Sequence, residues 1–269
     1  MLQIGIAYAL GIVFALVICG PTSGGHFNPA VTICLVLFKK FPRWKAVRYI
    51  IAQILGSYLA CMFIYAQWNH YIKAAEDTLR ANGTYDATIF TPSGPAGIFA
   101  PYAAPGSKLG QVFLNEFVCD FIIGLTIWTC MDPTNFMITP SVAPWIVSLS
   151  YSMAIWGYAT VGLSTNTARD LGSRFMVMSI WGRAASGGSY AAIAALTNIP
   201  ATLCAVIFYE VFLADSSRVI TQAHVETLAG HLAHAEHREQ VVTKTVVHSH
   251  SAESYAVDEK PEVEQIERV

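Results

Sequence analysis

Charge is what this sequence is short of: 16 Lys or Arg and 18 Asp or Glu among 269 residues, 13% in all, against 54% hydrophobic. There is no basic stripe interleaved with aromatics, so nothing points to nucleic acid as a partner, and the formal net charge of −2 selects none. Cysteines in ligand spacing are also missing. Cys19, Cys34, Cys61, Cys119, Cys130 and Cys204 lie in or beside apolar runs and read as small reduced core residues, so no disulfide, metal or cofactor is expected. The start has no basic segment and no soluble domain after it, so residues 2–20 are not a signal peptide. No nucleophile and base recur at a catalytic spacing. An intramembrane enzyme built on His26, Glu116 or Asp170 therefore has no site to argue from.

What is present is a series of long apolar runs, with mean hydropathy +0.45, the mark of an all-α polytopic membrane protein. Runs at 2–20, 46–66, 111–131, 141–162 and 190–213 predict five full spans, since about 20 residues cross the hydrocarbon core. In the first, Gly5, Ala7, Ala9, Gly11 and Ala15 favour close helix packing. The second carries Gln53, Gly56 and Ser57 on a buried face, and the last is interrupted by Pro200. Between the first two spans, Lys39, Lys40, Arg43, Lys45 and Arg48 fall within ten positions and mark a cytoplasmic loop. One span later the segment 67–110 reads as an external loop. Its Asn82-Gly83-Thr84 sequon makes Asn82 a candidate glycosylation site.

These runs give a membrane domain, 1–213, with a first repeat 1–66, the external loop and a second repeat 111–213. The remainder, 214–269, reads as a disordered cytoplasmic tail holding six of the eight histidines. His231, His234 and His237 share a face if a helix forms there, which raises metal binding or pH sensing as a lesser alternative.

Two polar, glycine-rich stretches interrupt the apolar pattern: Ser23-Gly-Gly-His-Phe-Asn-Pro-Ala-Val-Thr32 and Gly162-Leu-Ser-Thr-Asn-Thr-Ala-Arg-Asp-Leu-Gly172, whose asparagines, Asn28 and Asn166, lie 138 positions apart. Asn28 and Asn166 read as N-caps of short helices, and Pro29 suits the first helical position. Irregular backbone at membrane depth survives only inside protein or along a wet cavity. Matched interruptions in two halves therefore predict half-helices that meet with their positive ends together, presenting Asn donors and repelling cations. Arg169, one turn beyond Asn166, reads as a constriction donor, with Asp170 pairing it or holding the loop backbone. Glu116 is suited to accept backbone N–H groups of a re-entrant loop. Asp120 reads equally as a position near a wet interface.

These two motifs resemble the paired signature of the aquaporin, or major intrinsic protein, family over residues 4–213. The Asp after Arg is similar to the aquaglyceroporin branch, and the long loop and divergent second motif resemble fungal members. The resemblance implies a passive channel for water and small neutral solutes such as glycerol, a homotetramer in the lipid bilayer of the plasma membrane, with no chemical step. It assigns Asn28, Pro29, Ala30, Asn166, Thr167 and Ala168 to the pore motifs and Tyr8, Ala154, Leu163 and Arg169 to the selectivity filter. Glu116, His26 and Asp170 become loop supports. Ala154 stands where water-selective members place His, which implies a wider filter. Leu163 stands where some relatives carry a mercury-reactive Cys, and Thr167 replaces the usual Pro. The chain starts at what resembles the family's second spanning helix, so five of six spans are expected. That pattern suggests an incomplete gene model or splice form. It leaves a non-conducting subunit or regulator of full-length channels as the alternative.

Overall fold

The computed structural model describes residues 2–215 and 219–253. All regular structure among them is helical: α1 (Leu2–Ser23), α2 (Pro29–Phe38), α3 (Arg43–Ala81), α4 (Tyr85–Thr88), α5 (Leu109–Cys130), α6 (Ala143–Tyr158), α7 (Thr167–Trp181), α8 (Gly188–Leu196), α9 (Asn198–Phe208) and α10 (Gln222–Glu253). A π-turn, Tyr209–Leu213, continues α9, and short 3-10 turns lie at Pro95–Ile98, Ala159–Val161 and Arg183–Ser186. Four helical segments are long and apolar enough to cross a membrane: Leu2–Ser23, Arg43–Ala81, Leu109–Cys130 and Gly188–Leu213. The fifth expected span is a shorter helix, 16 residues from Ala143, lengthened by the 3-10 turn that follows it.

Close approach sets the helix crossings. On α1 the buried face is Gly5, Ala9 and Val13, one residue per turn. A Cβ on Gly5 would strike the Trp156 ring, and Ser152 Oγ donates to Gly5 O at 2.8 Å, fastening α1 to α6. Ala7 is exposed and a Cβ on Gly11 would meet nothing, so these two small residues do not make the close packing expected of them. Gly172 of α7 lies against Ile54 O and Ser57 of α3, and Gly124 of α5 against Thr202 of α9. Gln53 and Ser57 are half-buried, but Gly56 faces open space.

Two expectations are corrected. The segment 67–110 is not an extended loop, because α3 runs on to Ala81. At 1.5 Å per residue its 39 residues span about 58 Å, roughly twice the hydrocarbon core. The extension is amphipathic, with Ile72 buried and Glu76 and Leu79 half-buried on one face. Ile72, Ala96, Phe99, Ala100 and Tyr102 form a cluster with Met176 and Val177 of α7. Trp181 Nε1 donates to Glu76 Oε1 at 2.8 Å, and Tyr102 Oη to Ala185 O at 2.8 Å. Burial pushes the Tyr102 phenol up to about 12, which keeps that donor protonated. The connection is thus a packed cap on α7.

The second correction concerns the tail. The chain divides after residue 219, and Gln222–Glu253 of the second unit is helix where disorder is expected. Ala, Leu, Glu, Gln and Arg are strong helix formers, and Gln222 Nε2 donates to Glu226 Oε1 at 3.0 Å one turn on. His231, His234 and His237 are exposed, and no metal-holding group of three ligands occurs among the described residues. Residues 254–269 of the tail lie outside the described residues.

Candidate functional site: two half-helices meeting end to end

The two polar interruptions fold into the same device. Asn28 caps α2: its backbone is extended (φ −137°), Pro29 occupies the first helical turn, and its Oδ1 accepts from Ala30 N at 3.0 Å. Asn166 caps α7 in the same way, with Oδ1 accepting from Ala168 N at 2.9 Å and Arg169 N at 3.2 Å. The other end of each amide then crosses to the opposite half-helix. Asn28 Nδ2 donates to Thr165 O at 3.2 Å, and Asn166 Nδ2 donates to Phe27 O at 3.0 Å.

Each asparagine therefore holds the carbonyl of the residue just before the other asparagine. Those two residues, Phe27 (φ 48°) and Thr165 (φ 60°), adopt the left-handed conformation that bulky side chains avoid. Such positions cost on the order of 1–3 kcal/mol each and persist only when neighbours over-determine them. Around Thr165 the neighbours are explicit. Ser164 N donates to both Glu116 oxygens at 3.0 and 2.9 Å, and Thr165 N donates to Glu116 Oε1. Thr165 O also receives Asn198 Nδ2 at 3.0 Å.

His26 packs its ring 4.8 Å from Phe41 and 5.1 Å from Tyr49, and its Nδ1 lies 3.2 Å from Thr32 Oγ1. Gln53 Nε2 donates to the same hydroxyl at 3.0 Å, so α3 steadies the first loop. At the second loop, Ser57 Oγ donates to Arg169 O at 3.2 Å. Pro29, Ala30, Thr167 and Ala168 are buried, and the Thr167 hydroxyl has no partner.

Asp170 does not pair with Arg169. Its carboxylate is enclosed and holds Arg174, one turn along α7, through Nε at 3.1 Å and through Nη2. Arg174 also donates to Pro101 O at 2.9 Å and Ser186 O at 3.2 Å, which binds the cap to α7. The i, i+4 spacing of Asp170 and Arg174 is visible in the sequence and is the signal that reveals this pair. Arg169 is left half-buried, with Nη1 enclosed and unpartnered.

The remaining proposed filter positions are distributed as follows. Ala154 is 1% exposed in a cluster with Cys119, Ile123 and Tyr151, against which Leu163 packs. Tyr8 is exposed, its ring 6.1 Å from that of Tyr151. Asn82 is exposed at the end of α3. Asp120 is fully buried, which corrects the wet-interface reading.

Spanning helices that enclose two half-helices joined tip to tip, with their positive ends together, define a multi-pass membrane channel. Comparison with known proteins gives the same class. The family model described as "Major intrinsic protein" matches residues 1–185, and the chain belongs to that family, whose members are channels for water and small solutes rather than enzymes. It is 52% identical to "Aquaporin-3" of Laccaria bicolor over 246 residues, 91% of this chain and 74% of that protein. It is 35% identical to "Aquaglyceroporin-2" of Rhizophagus irregularis over 185 residues, 66% of this chain and 55% of that protein. The X-ray structure of the aquaglyceroporin from Plasmodium falciparum shares the fold. It has a TM-score of 0.68 and 20% identity, covering 79% of this chain and 83% of that one.

Proposed function

We propose that this chain conducts water and small uncharged polyols, glycerol foremost, past the Asn28–Asn166 joint and through a filter of Tyr8, Ala154, Leu163 and Arg169. The reciprocal asparagine joint carries the reading. Each Nδ2 spends one hydrogen on the opposite loop and retains a second for a passing hydroxyl. The two helix N-termini behind them repel cations. Arg169 Nη1, enclosed without a protein acceptor, is free to donate to a solute hydroxyl. Ala154, itself buried, carries only a methyl group where a larger side chain would narrow the passage, and Tyr8 and Leu163 supply apolar wall for a carbon backbone. The similarity to a protein named aquaglyceroporin favours a polyol over water alone.

In this reading the basic segment 39–48 and the tail face the cytoplasm. Asn82 faces outward and accepts glycan, and homotetramers sit in the plasma membrane.

Stopped-flow light scattering of liposomes containing the full 269-residue chain tests the proposal. Glycerol entry should exceed that of empty liposomes, and Ala154→His should slow glycerol while sparing water. Glycerol entry no faster than in empty liposomes refutes conduction by this chain. Equal slowing of both solutes by Ala154→His refutes the filter assignment.

A further inference from the structure

Asp120 lies one turn after Glu116 on α5, and the two carboxyl groups have opposite surroundings. Glu116 is met by donors, the N–H groups of Ser164 and Thr165. Asp120 is 0% exposed, and neither of its oxygens has a hydrogen-bond partner. Asn198 of α9 lies beside it, Tyr151 faces it from α6, and Glu116 and Cys119 flank it on its own helix; Asp120 takes part in no ion pair.

Asn198 Nδ2 lies near Asp120, but its hydrogens are directed elsewhere. Its Nδ2 hydrogens go to Thr165 O at 3.0 Å and Thr202 Oγ1 at 3.5 Å. Turning the amide over would put Oδ1 against the Thr165 carbonyl, acceptor on acceptor. In the observed orientation Asn198 Oδ1 is itself buried and unpartnered. The site thus gathers three enclosed acceptor oxygens with no hydrogen between them. An ionised carboxylate accepts only, so it would leave all three unsatisfied beside a second carboxyl group, Glu116.

We infer that Asp120 is a neutral carboxylic acid whose O–H donates to Asn198 Oδ1, making Asp120 and Asn198 a positioning pair that holds the Thr165 carbonyl. One proton satisfies both side chains. It also divides the labour along α5: the charge stays on Glu116, where the donors are, and the proton stays on Asp120. Thr165 O is the same carbonyl that Asn28 holds, so the pair acts on the joint between the half-helices.

Infrared spectroscopy of the full chain in lipid at neutral pH tests the protonation. A deuterium-sensitive protonated-carboxyl band should be present and should vanish in Asp120→Asn. A spectrum in which that variant removes no such band overturns the proposal. Positioning is read from permeability. Asp120→Asn, whose amide replaces the O–H donor, should keep glycerol permeability per channel within about twofold, and Asp120→Ala should lower it about tenfold. Native permeability in Asp120→Ala overturns the positioning role. Should Asp120→Ala not assemble, loss of flux in Asp120→Asn overturns it instead. The permeability arm rests on the channel reading and the infrared arm does not, so a band assigned to Asp120 in a chain that passes no glycerol faults the channel reading alone.

Discussion

Asn166 carries two separable duties, and two substitutions divide them. Its Oδ1 caps α7 by accepting from Ala168 N and Arg169 N, while its Nδ2 ties α7 to the first loop through Phe27 O. Asn166→Ala removes both. Losing an N-cap costs about 1 kcal/mol, and leaving the Phe27 carbonyl without its donor costs a further 1–3 kcal/mol or so. The sum, about 2–4 kcal/mol, should lower the melting temperature of the channel in detergent by roughly 5–15 °C, at about 2–4 °C per kcal/mol for a unit of this size. Asn166→Asp keeps the cap and places an anion at the helix N-terminus, where it is favoured, so its melting temperature should fall by about half as much. Its oxygen now faces the Phe27 carbonyl, and its charge offsets the field that repels cations. Glycerol permeability should therefore drop, and a cation conductance absent from the wild type should appear in planar bilayers. Equal melting temperatures for the Ala and Asp variants would show that the cap contributes nothing. An Asp variant with unchanged flux and no cation current would refute the placement of Asn166 at the joint.

If Arg169 lines the proposed filter, Arg169→Ala should raise the permeability of a four-carbon polyol relative to glycerol in the liposome assay, because the enclosed Nη1 is removed; an unchanged ratio would place Arg169 elsewhere. Arg174→Met should destabilise the membrane domain by about 3–5 kcal/mol, since it leaves the Asp170 carboxylate buried and uncompensated, and the melting temperature should fall by about 6–20 °C. Adding Asp170→Leu to Arg174→Met should recover much of that loss, and a double variant no more stable than Arg174→Met alone would show that the pair is not what holds the cap.

The parts of the site that obey local rules are legible in the sequence. Asparagine before Pro or Thr and then Ala announces a capped helix start, and the capping bonds of Asn28 and Asn166 run to N–H groups two or three residues away. A carboxylate in an apolar run announces a buried partner, because an unpaired one is too costly to keep. Which partner it finds is a different matter. Asp170 has Arg169 next to it in sequence, yet side chains one apart do not face each other on a helix, and Arg174 at i+4 wins. The α3 extension was masked by its polarity. A one-sided stripe of Ile72, Glu76 and Leu79 is enough to fold it, because the second face is supplied by residues 95–102 and α7, far away in the chain.

The joint itself is the least legible element, and its geometry explains why. The bonds that join the two loops, Asn28 to Thr165 and Asn166 to Phe27, together with Ser57 to Arg169, link residues more than a hundred positions apart through a backbone carbonyl. A carbonyl is present at every residue, so side-chain identity gives no hint of which one is used. What selects Phe27 O and Thr165 O is the left-handed turn at those two residues, which aims the carbonyl across the joint. Neither side chain favours that turn, so no local preference records it. The turn exists because Glu116 gathers the Ser164 and Thr165 N–H groups on one side while Asn28 and Asn198 hold the Thr165 carbonyl on the other. Stabilising that conformation is a property of α2, α5 and α9 together. It follows that Glu116 and Asn198 decide whether the Asn28 amide has a carbonyl to hold, and so whether the two half-helices stay joined.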